Sequence, residues 1–82
     1  KRCIMQILAK RLKELREERR IYQRELAEIL DMSFRGYQNY ETGQSEPKLA
    51  TLLAIADYYQ VSIDYLVGRT DAPDFQPVKT EE

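Results

Sequence analysis

Four residues near the middle of the chain could recognise a partner by hydrogen bonds and apolar contact: Phe34, Arg35, Gln38 and Asn39. A guanidinium can donate two parallel hydrogen bonds, and a side-chain amide can donate and accept at once. Spacings of three and four residues place Arg35, Gln38 and Asn39 on one face of a helix. Without a framework to position them, the simplest interpretation is a solvated helix face.

Catalytic and metal chemistry have little support in the composition. The chain has no histidine and one cysteine, Cys3, which argues against catalytic triads, Cys/His pairs and zinc sites. The carboxylates of Asp57 and Asp64 remain as a pair, but no glycine-rich phosphate loop or plausible cleft accompanies them. We therefore expect no enzyme, metal or cofactor. A lone cysteine forms no internal disulfide, which favours a reducing cytoplasm.

Length and charge describe one small globular domain with two unlike halves. The 82 residues are 43% hydrophobic and 33% charged, with a net charge of −1, which by itself argues against a nucleic-acid partner. Residues 1–48, however, hold 11 Lys/Arg against 8 Asp/Glu, whereas residues 49–82 hold 2 against 6. The chain thus has a basic half and an acidic half. No apolar run is long enough to predict a signal peptide or a membrane span.

The elements that must position the candidate residues are helices. Apolar spacing predicts helices over residues 5–19, 23–30, 34–41 and 48–59, and a short fifth helix that ends by 67. Ser33 and Ser62 are expected to cap the third and fifth helices, and Gly68 to end the fifth. The strongest apolar stripe lies in the fourth helix: Leu49, Leu52, Leu53, Ile55, Ala56 and Tyr59. The predicted fold is all-α and compact, with a domain at 1–69 and an acidic, proline-containing tail at 70–82.

The second and third helices have the spacing of a helix-turn-helix. Ala27 is small enough for close helix crossing, Met32 is expected to be buried at the turn, and Tyr37 is expected to pack inward. In this arrangement the second helix of the pair can lie in the major groove of DNA, where its outward side chains meet base edges. Within this helix-turn-helix, the polar face of residues 34–41 is a candidate DNA-contacting surface.

An ordered series of short motifs resembles the lambda-repressor-like (Cro/cI or Xre) DNA-binding domain over about residues 7–68. The motifs are Gln23-Arg24-Glu25-Leu26-Ala27, Met32-Ser33, Tyr40-Glu41-Thr42-Gly43, Pro47 and Val61-Ser62-Ile63-Asp64-Tyr65-Leu66. The resemblance implies a five-helix domain that binds operator DNA, commonly as a symmetric homodimer, to regulate transcription.

The resemblance also implies residue roles. Its base-contacting positions are Phe34, Arg35, Gln38 and Asn39, and its phosphate-contacting positions are Gln23, Thr42, Gln44 and Lys48. By chemistry, the arginine suits guanine, the two amides suit adenine, and the phenyl ring offers only apolar contact, for instance to a thymine methyl. Phosphate contacts fix register, whereas base contacts specify sequence.

The sequence departs from the family pattern before and after the second helix. Arg20 and Asp31 stand where the family usually has glycine, and Tyr22 stands where it usually has a Ser or Thr cap. Gly36 lies inside the third helix, and close approach to DNA or simple surface drift would explain it. The basic cluster is expected to be a solvated face paired with Glu14, Glu17 and Glu18: Lys10, Arg11, Lys13, Arg16, Arg19, Arg20 and Arg24.

The predicted function is a sequence-specific DNA-binding repressor that occupies a palindromic operator as a homodimer. Its partner is double-stranded DNA, with no membrane, metal or small-molecule ligand indicated. Tyr58, Tyr65, Val67 and Phe75 are the candidate dimer interface. Docking of the tail onto its own domain is the alternative use of these residues. The alternative function is a protein-interaction module on the same fold, antitoxin-like or coactivator-like.

Overall fold

The computed structural model describes residues 4–73, which form five α-helices and no strand. They are α1 (Ile4–Glu18), α2 (Gln23–Ile29), α3 (Phe34–Thr42), α4 (Leu49–Tyr59) and α5 (Ile63–Leu66). The boundaries of the first four lie within one residue of those predicted from apolar spacing. The all-α, five-helix prediction is confirmed, and none of these helices is long and apolar enough to cross a membrane.

One core joins all five helices. The leucines of α1 lie on its buried face, and Leu12 is fully buried, which stabilises the fold by about 2 kcal/mol relative to an exposed leucine. The core cluster comprises Leu8, Leu12, Leu15, Leu26, Ala27, Tyr37, Ile55, Ala56, Tyr59, Val61 and Leu66.

The buried stripe of α4 is narrower than predicted. Ile55, Ala56 and Tyr59 are buried, but Leu49 is 67% exposed and Leu53 is 44% exposed. The core contacts only one side of this short helix, and Leu49 and Leu53 lie outside that side. Including these two leucines in the core-facing stripe was therefore wrong.

Two helix starts are capped as predicted. The Ser33 hydroxyl accepts a hydrogen bond from the Gly36 amide at 3.0 Å, and the Ser62 hydroxyl accepts one from the Tyr65 amide at 3.0 Å. At the start of α2, Tyr22 lacks such a hydroxyl, and the Glu25 carboxylate instead accepts from the Tyr22 amide at 2.8 Å. This contact is the carboxylate half of a capping box.

Three non-glycine residues at helix ends or in turns adopt left-handed backbone. Arg20, Asp31 and Gln60 have φ values of 57°, 57° and 59°. The first two are the positions at which the sequence departs from the expected glycine. At Gly68, where φ is 86°, an added Cβ would lie 2.7 Å from Ile7 of α1, so both conformation and packing require glycine there.

Arg11 of α1 and Arg19, which directly follows this helix, bind the C-terminal half of the domain. Arg11 donates to the Tyr65 carbonyl at 2.7 Å, and Arg19 donates to the Tyr59 carbonyl at 3.0 Å. Over residues 4–73, no ion pair joins these arginines to the glutamates of α1. The expected pairing with these glutamates was wrong for both arginines, because they bind backbone carbonyls of α5 and α4 instead. Arg19 is exposed, as expected, whereas Arg11 is half-buried.

Candidate nucleic-acid interface

The α2–α3 pair is held together by packing and by a hydrogen-bonded turn. Leu26, Ala27 and Tyr37 are at most 2% exposed, so the two helices pack closely. The Met32 amide donates to the Ala27 carbonyl at 2.9 Å, which closes the turn onto α2. Met32 itself is half-buried against the core rather than fully buried. The turn and the Ser33 cap fix where α3 begins.

The outward face of α3 carries the predicted base-contacting residues. Arg35 is exposed, and Phe34, Gln38 and Asn39 are partly exposed. Tyr37, between them in sequence, is fully buried and fixes the rotation of the helix. The structure therefore brings Arg35, Gln38 and Asn39 to the side of α3 away from Tyr37. Phe34, seven residues before the buried Glu41, lies at the edge of that face.

A buried ion pair anchors α3 to α1. Arg16 donates through Nε to Glu41 Oε2 at 2.7 Å and through Nη2 to Glu41 Oε1 at 3.2 Å, a forked contact. The side chains are only 13% and 3% exposed. Tyr37 also donates its hydroxyl proton to the Glu41 carboxylate, and Gln23 donates its amide to the same group. Glu41 therefore connects α1, α2 and α3.

The hydrogen bonds to Glu41 shift the pKa values of the network. Burial alone would raise the pKa of the Glu41 carboxyl, but the hydrogen bonds from Arg16, Tyr37 and Gln23 outweigh burial and the pKa is lowered. The pKa of Arg16 is raised by its hydrogen bond to Glu41. Burial, together with the bond to Glu41, raises the pKa of Tyr37. The network thus favours a charged Arg16–Glu41 pair and a neutral tyrosine.

Sequence reasoning missed this network. Glu41 entered only as part of a motif, and Arg16 was placed on a solvated face. The available signal was that Tyr37 and Glu41 are four residues apart, so that a carboxylate shares the helix face of a core tyrosine. Its partner Arg16 lies 25 residues away, and no local spacing predicts that contact.

The predicted phosphate-contacting residues lie in unlike environments. Gln23 is half-buried and donates one amide hydrogen to Glu41 at 2.9 Å, which leaves its second N–H for a ligand. Thr42 belongs to α3, not to the loop, and its hydroxyl donates to the Asn39 carbonyl at 3.2 Å. Gln44 and Lys48 are exposed, and Lys48 is the residue immediately before α4.

The loop after α3 is fastened to the end of that helix. The Asn39 carbonyl accepts from the Gln44 amide at 2.9 Å and from the Ser45 amide at 3.4 Å. Gly43 adopts left-handed backbone with φ 80° and so reverses the chain there. Gln44 is therefore held close to the end of the α3 face.

Gly36 has an intramolecular explanation. A Cβ at this position would lie 2.9 Å from the Ser33 hydroxyl oxygen and 3.2 Å from the Met32 methyl carbon. Any larger residue would displace the hydroxyl that caps α3. The absence of a side chain at Gly36 thus serves the start of the helix.

Arg24 and Phe34 form a contact across the helix-turn-helix. The guanidinium carbon of Arg24 lies 4.7 Å from the centroid of the Phe34 ring, within range of a cation–π interaction. Arg24 is exposed on α2, and Phe34 is the first residue of α3. From the sequence, Arg24 was assigned to the basic cluster and Phe34 to the base-contacting positions, and no contact between them was predicted.

The candidate dimer residues that the structure describes contact their own domain. Tyr58, Tyr65 and Val67 are half-buried. The Arg11 guanidinium stacks 4.0 Å from the centroid of the Tyr65 ring, and Tyr58 packs edge-on against Tyr59. Phe75 lies outside the described residues. The exposed parts of the first three remain available to a second copy.

No metal-holding group of three or more His, Cys, Asp or Glu side chains occurs among residues 4–73. Of the two carboxylates considered for catalysis, Asp64 lies 3.4 Å from Arg69, and both Asp57 and Asp64 are exposed on the surface.

Comparison with known proteins agrees with the geometry. The helix-turn-helix regulator ImmR of Bacillus subtilis is 41% identical over 64 residues, covering 78% of this chain and 50% of ImmR. YobD, another helix-turn-helix transcriptional regulator of that organism, is 38% identical over 64 residues, 78% of this chain and 57% of its own. The CTXphi transcriptional repressor RstR of Vibrio cholerae is 38% identical over 47 residues, 57% of this chain and 42% of RstR.

This chain spans about half the length of the curated relatives it matches. The sequence model of the helix-turn-helix family matches residues 12–66, which run from the middle of α1 to the end of α5 and contain the whole candidate interface. With five helices in the expected order and α3 presenting a polar face away from the core, the chain belongs to the helix-turn-helix family.

Proposed function

We propose that this chain binds double-stranded DNA in a sequence-specific manner, with α3 in the major groove, and regulates transcription as a repressor. The observation that carries the proposal is the orientation of α3. Its buried side is fixed by Tyr37 and Glu41, so Arg35, Gln38 and Asn39 point outward together. A helix held in this way can present those side chains to base edges without reordering.

The charge distribution supports a phosphate-binding role for the surroundings of α3. Arg35 and Lys48 are exposed, and no carboxylate among residues 4–73 forms an ion pair with either of them. Gln23 has an N–H free beside its bond to Glu41. Gln23, Thr42, Gln44 and Lys48 would set the register of α3 on the backbone. To donate to a phosphate, the Thr42 hydroxyl must first give up its hydrogen bond to the Asn39 carbonyl.

A regulatory role is supported by the relatives. ImmR is named as a transcriptional regulator and RstR as a transcriptional repressor. Because a two-fold dimer requires a palindromic site, homodimerisation through Tyr58, Tyr65, Val67 and Phe75 would place two α3 helices on neighbouring half-sites. Occupying such an operator represses a promoter without a cofactor.

Selection of bound sequences from random double-stranded DNA tests the proposal most directly. The expected result is one enriched palindromic motif whose half-sites are about 10 base pairs apart, or a multiple of that. A lack of enrichment would contradict sequence-specific DNA binding and favour the protein-interaction module.

The role of α3 is tested by Gln38→Ala on the selected site. Loss of a bidentate amide contact should cost about 1–3 kcal/mol on that site and little on random DNA. Fluorescence anisotropy with both DNAs measures the difference, and Lys13→Ala, an exposed substitution on α1, is the control. An equal loss on both DNAs would show that Gln38 does not contact a base.

A further inference from the structure

We propose that Arg24 of α2 binds a DNA phosphate beside α3 and that the ring of Phe34 positions its guanidinium for that contact. The inference rests on the proposed DNA-binding function and adds a residue to it. It also gives Phe34 a role other than base contact: the phenyl ring is a platform for Arg24.

The first support is the way the Arg24 charge is held. Its guanidinium carbon lies 4.7 Å from the Phe34 ring centroid, so the charge is fixed at the first residue of α3, where the base-contacting face begins. A ring beneath the guanidinium restricts a side chain that is otherwise free in solvent. The entropy lost on binding a ligand is then smaller.

The second support is that this contact leaves the donors of Arg24 free. Stacking on a ring engages the flat face of a guanidinium, whereas its N–H groups point outward in the plane. Over the described range, Arg24 makes no hydrogen bond and no ion pair, although Glu28 follows it at a helical spacing of four residues.

The other arginines of the basic cluster show the contrast. Arg11, Arg16 and Arg19 each donate to carbonyl or carboxylate oxygens of their own domain. Arg24 is held in place without using its donors. Such an arginine is suited to an external acceptor, and a phosphate matches its forked geometry.

The third support is position. In a helix-turn-helix the helix before the recognition helix crosses the phosphate backbone, and Arg24 is the second residue of that helix. A cation near the start of α3 has the same sign as the positive end of the α3 dipole. An anion placed there is attracted by both charges. The contact should therefore strengthen binding to any DNA sequence.

The test measures DNA affinity of the 82-residue chain by fluorescence anisotropy, on a selected site and on random DNA, between 50 and 200 mM salt. Arg24→Ala should weaken binding about tenfold on both DNAs, because the variant loses a charge-assisted hydrogen bond to a phosphate oxygen. It should also reduce the slope of log K against log salt by about 0.9. Lys13→Ala should leave the slope unchanged.

Phe34→Leu tests the platform, since leucine keeps apolar bulk but has no ring. In the otherwise wild-type chain, Phe34→Leu should weaken DNA binding. In the Arg24→Ala variant, the same substitution should lower log affinity by at most about half as much. Additive losses would overturn the positioning role. An unchanged salt slope in Arg24→Ala would overturn the phosphate contact.

The same experiment separates the inference from the proposed function. If the wild-type chain binds the selected site and Gln38→Ala weakens that binding, while Arg24→Ala has no effect, only the inference fails. If the wild-type chain binds no DNA, both fail. A thermal melt of Arg24→Ala should show at most a small change in midpoint, because Arg24 is exposed and the variant loses its contact with the Phe34 ring.

Discussion

The two most deeply buried tyrosines have opposite hydrogen-bonding situations. The Tyr37 hydroxyl donates to Glu41, whereas the buried Tyr59 hydroxyl finds no partner among the described residues. Burial raises the pKa of both, so each is neutral near pH 7. An unpaired buried hydroxyl destabilises a fold by about 1–3 kcal/mol, whereas a paired one stabilises it.

Substituting each tyrosine by phenylalanine should therefore have effects of opposite sign. Tyr37→Phe should lower the free energy of unfolding by about 1–2 kcal/mol, and Tyr59→Phe should raise it by up to about 1 kcal/mol. Urea denaturation followed by circular dichroism measures both. A loss at Tyr59 as large as that at Tyr37 would show that the Tyr59 hydroxyl has a partner in solution.

The Glu41 carboxyl should give the fold an acid-sensitive component. Its pKa in the folded state lies below the ordinary value of 4.5, so the ionised carboxylate stabilises the fold at pH values above 4.5. The contribution is lost as pH falls through the folded-state pKa. NMR titration of the wild-type carboxyl should give a midpoint below 4.5.

Glu41→Gln completes this test. The variant leaves Arg16 without its buried partner and should be about 3 kcal/mol less stable at pH 7. The difference from wild type should shrink as the solution is acidified from pH 5 towards pH 3, in urea denaturation at each pH. A difference that stays constant over that range would contradict the predicted role of Glu41.

At the scale of the helices, local signals predicted more than long-range ones. Apolar spacing and the hydroxyls of Ser33 and Ser62 set most helix boundaries, because these interactions join residues within one turn. The Arg16–Glu41 pair and the Arg24–Phe34 contact were not predictable, since each joins residues of different helices. The exposure of Leu49 was also missed, because side-chain type does not reveal how much of a helix the core contacts.

The three left-handed positions that are not glycine, Arg20, Asp31 and Gln60, store strain that glycine would release. An arginine or glutamine with φ near 57–59° is destabilised by about 1–2 kcal/mol relative to its preferred backbone conformation. Glycine removes this strain, but the greater entropy of the unfolded glycine chain offsets part of the gain. Arg20→Gly should raise the free energy of unfolding by roughly 0.5–1 kcal/mol, because glycine adopts this conformation without steric cost. Asp31→Gly should change it less, because aspartate tolerates this conformation.

Thermal and urea denaturation measure these differences, with Lys13→Gly as the matched control. Lys13 is exposed in the middle of α1, where glycine should lower stability by about 1 kcal/mol. If Arg20→Gly lowered stability as much as Lys13→Gly, the left-handed conformation of Arg20 would not hold in solution.

At the scale of the whole molecule, the two halves of unlike charge meet through α1. Arg11 of α1 and Arg19, which follows it, donate to carbonyls of α5 and α4, and Arg11 also pairs with Asp71 at 2.9 Å. The cations left near the proposed DNA face are few: Arg24, Arg35 and Lys48. One domain should therefore bind DNA weakly, and two domains on one palindrome should bind it much more tightly.

Dimerisation is thus the property on which tight binding should depend, and Val67→Asp tests the proposed interface beside α5. A charge buried between two copies should weaken dimerisation by at least about tenfold in sedimentation equilibrium, and binding to the full palindrome should fall with it. Binding to a single half-site depends on α3 and should change by less than about twofold, which is a small energy on the scale of 1.4 kcal/mol for each factor of 10. Leu53→Asp is the control, because Leu53 is an exposed leucine of α4. If Leu53→Asp abolished the dimer and Val67→Asp did not, the exposed leucines of α4 would be the interface in place of Tyr58, Tyr65 and Val67.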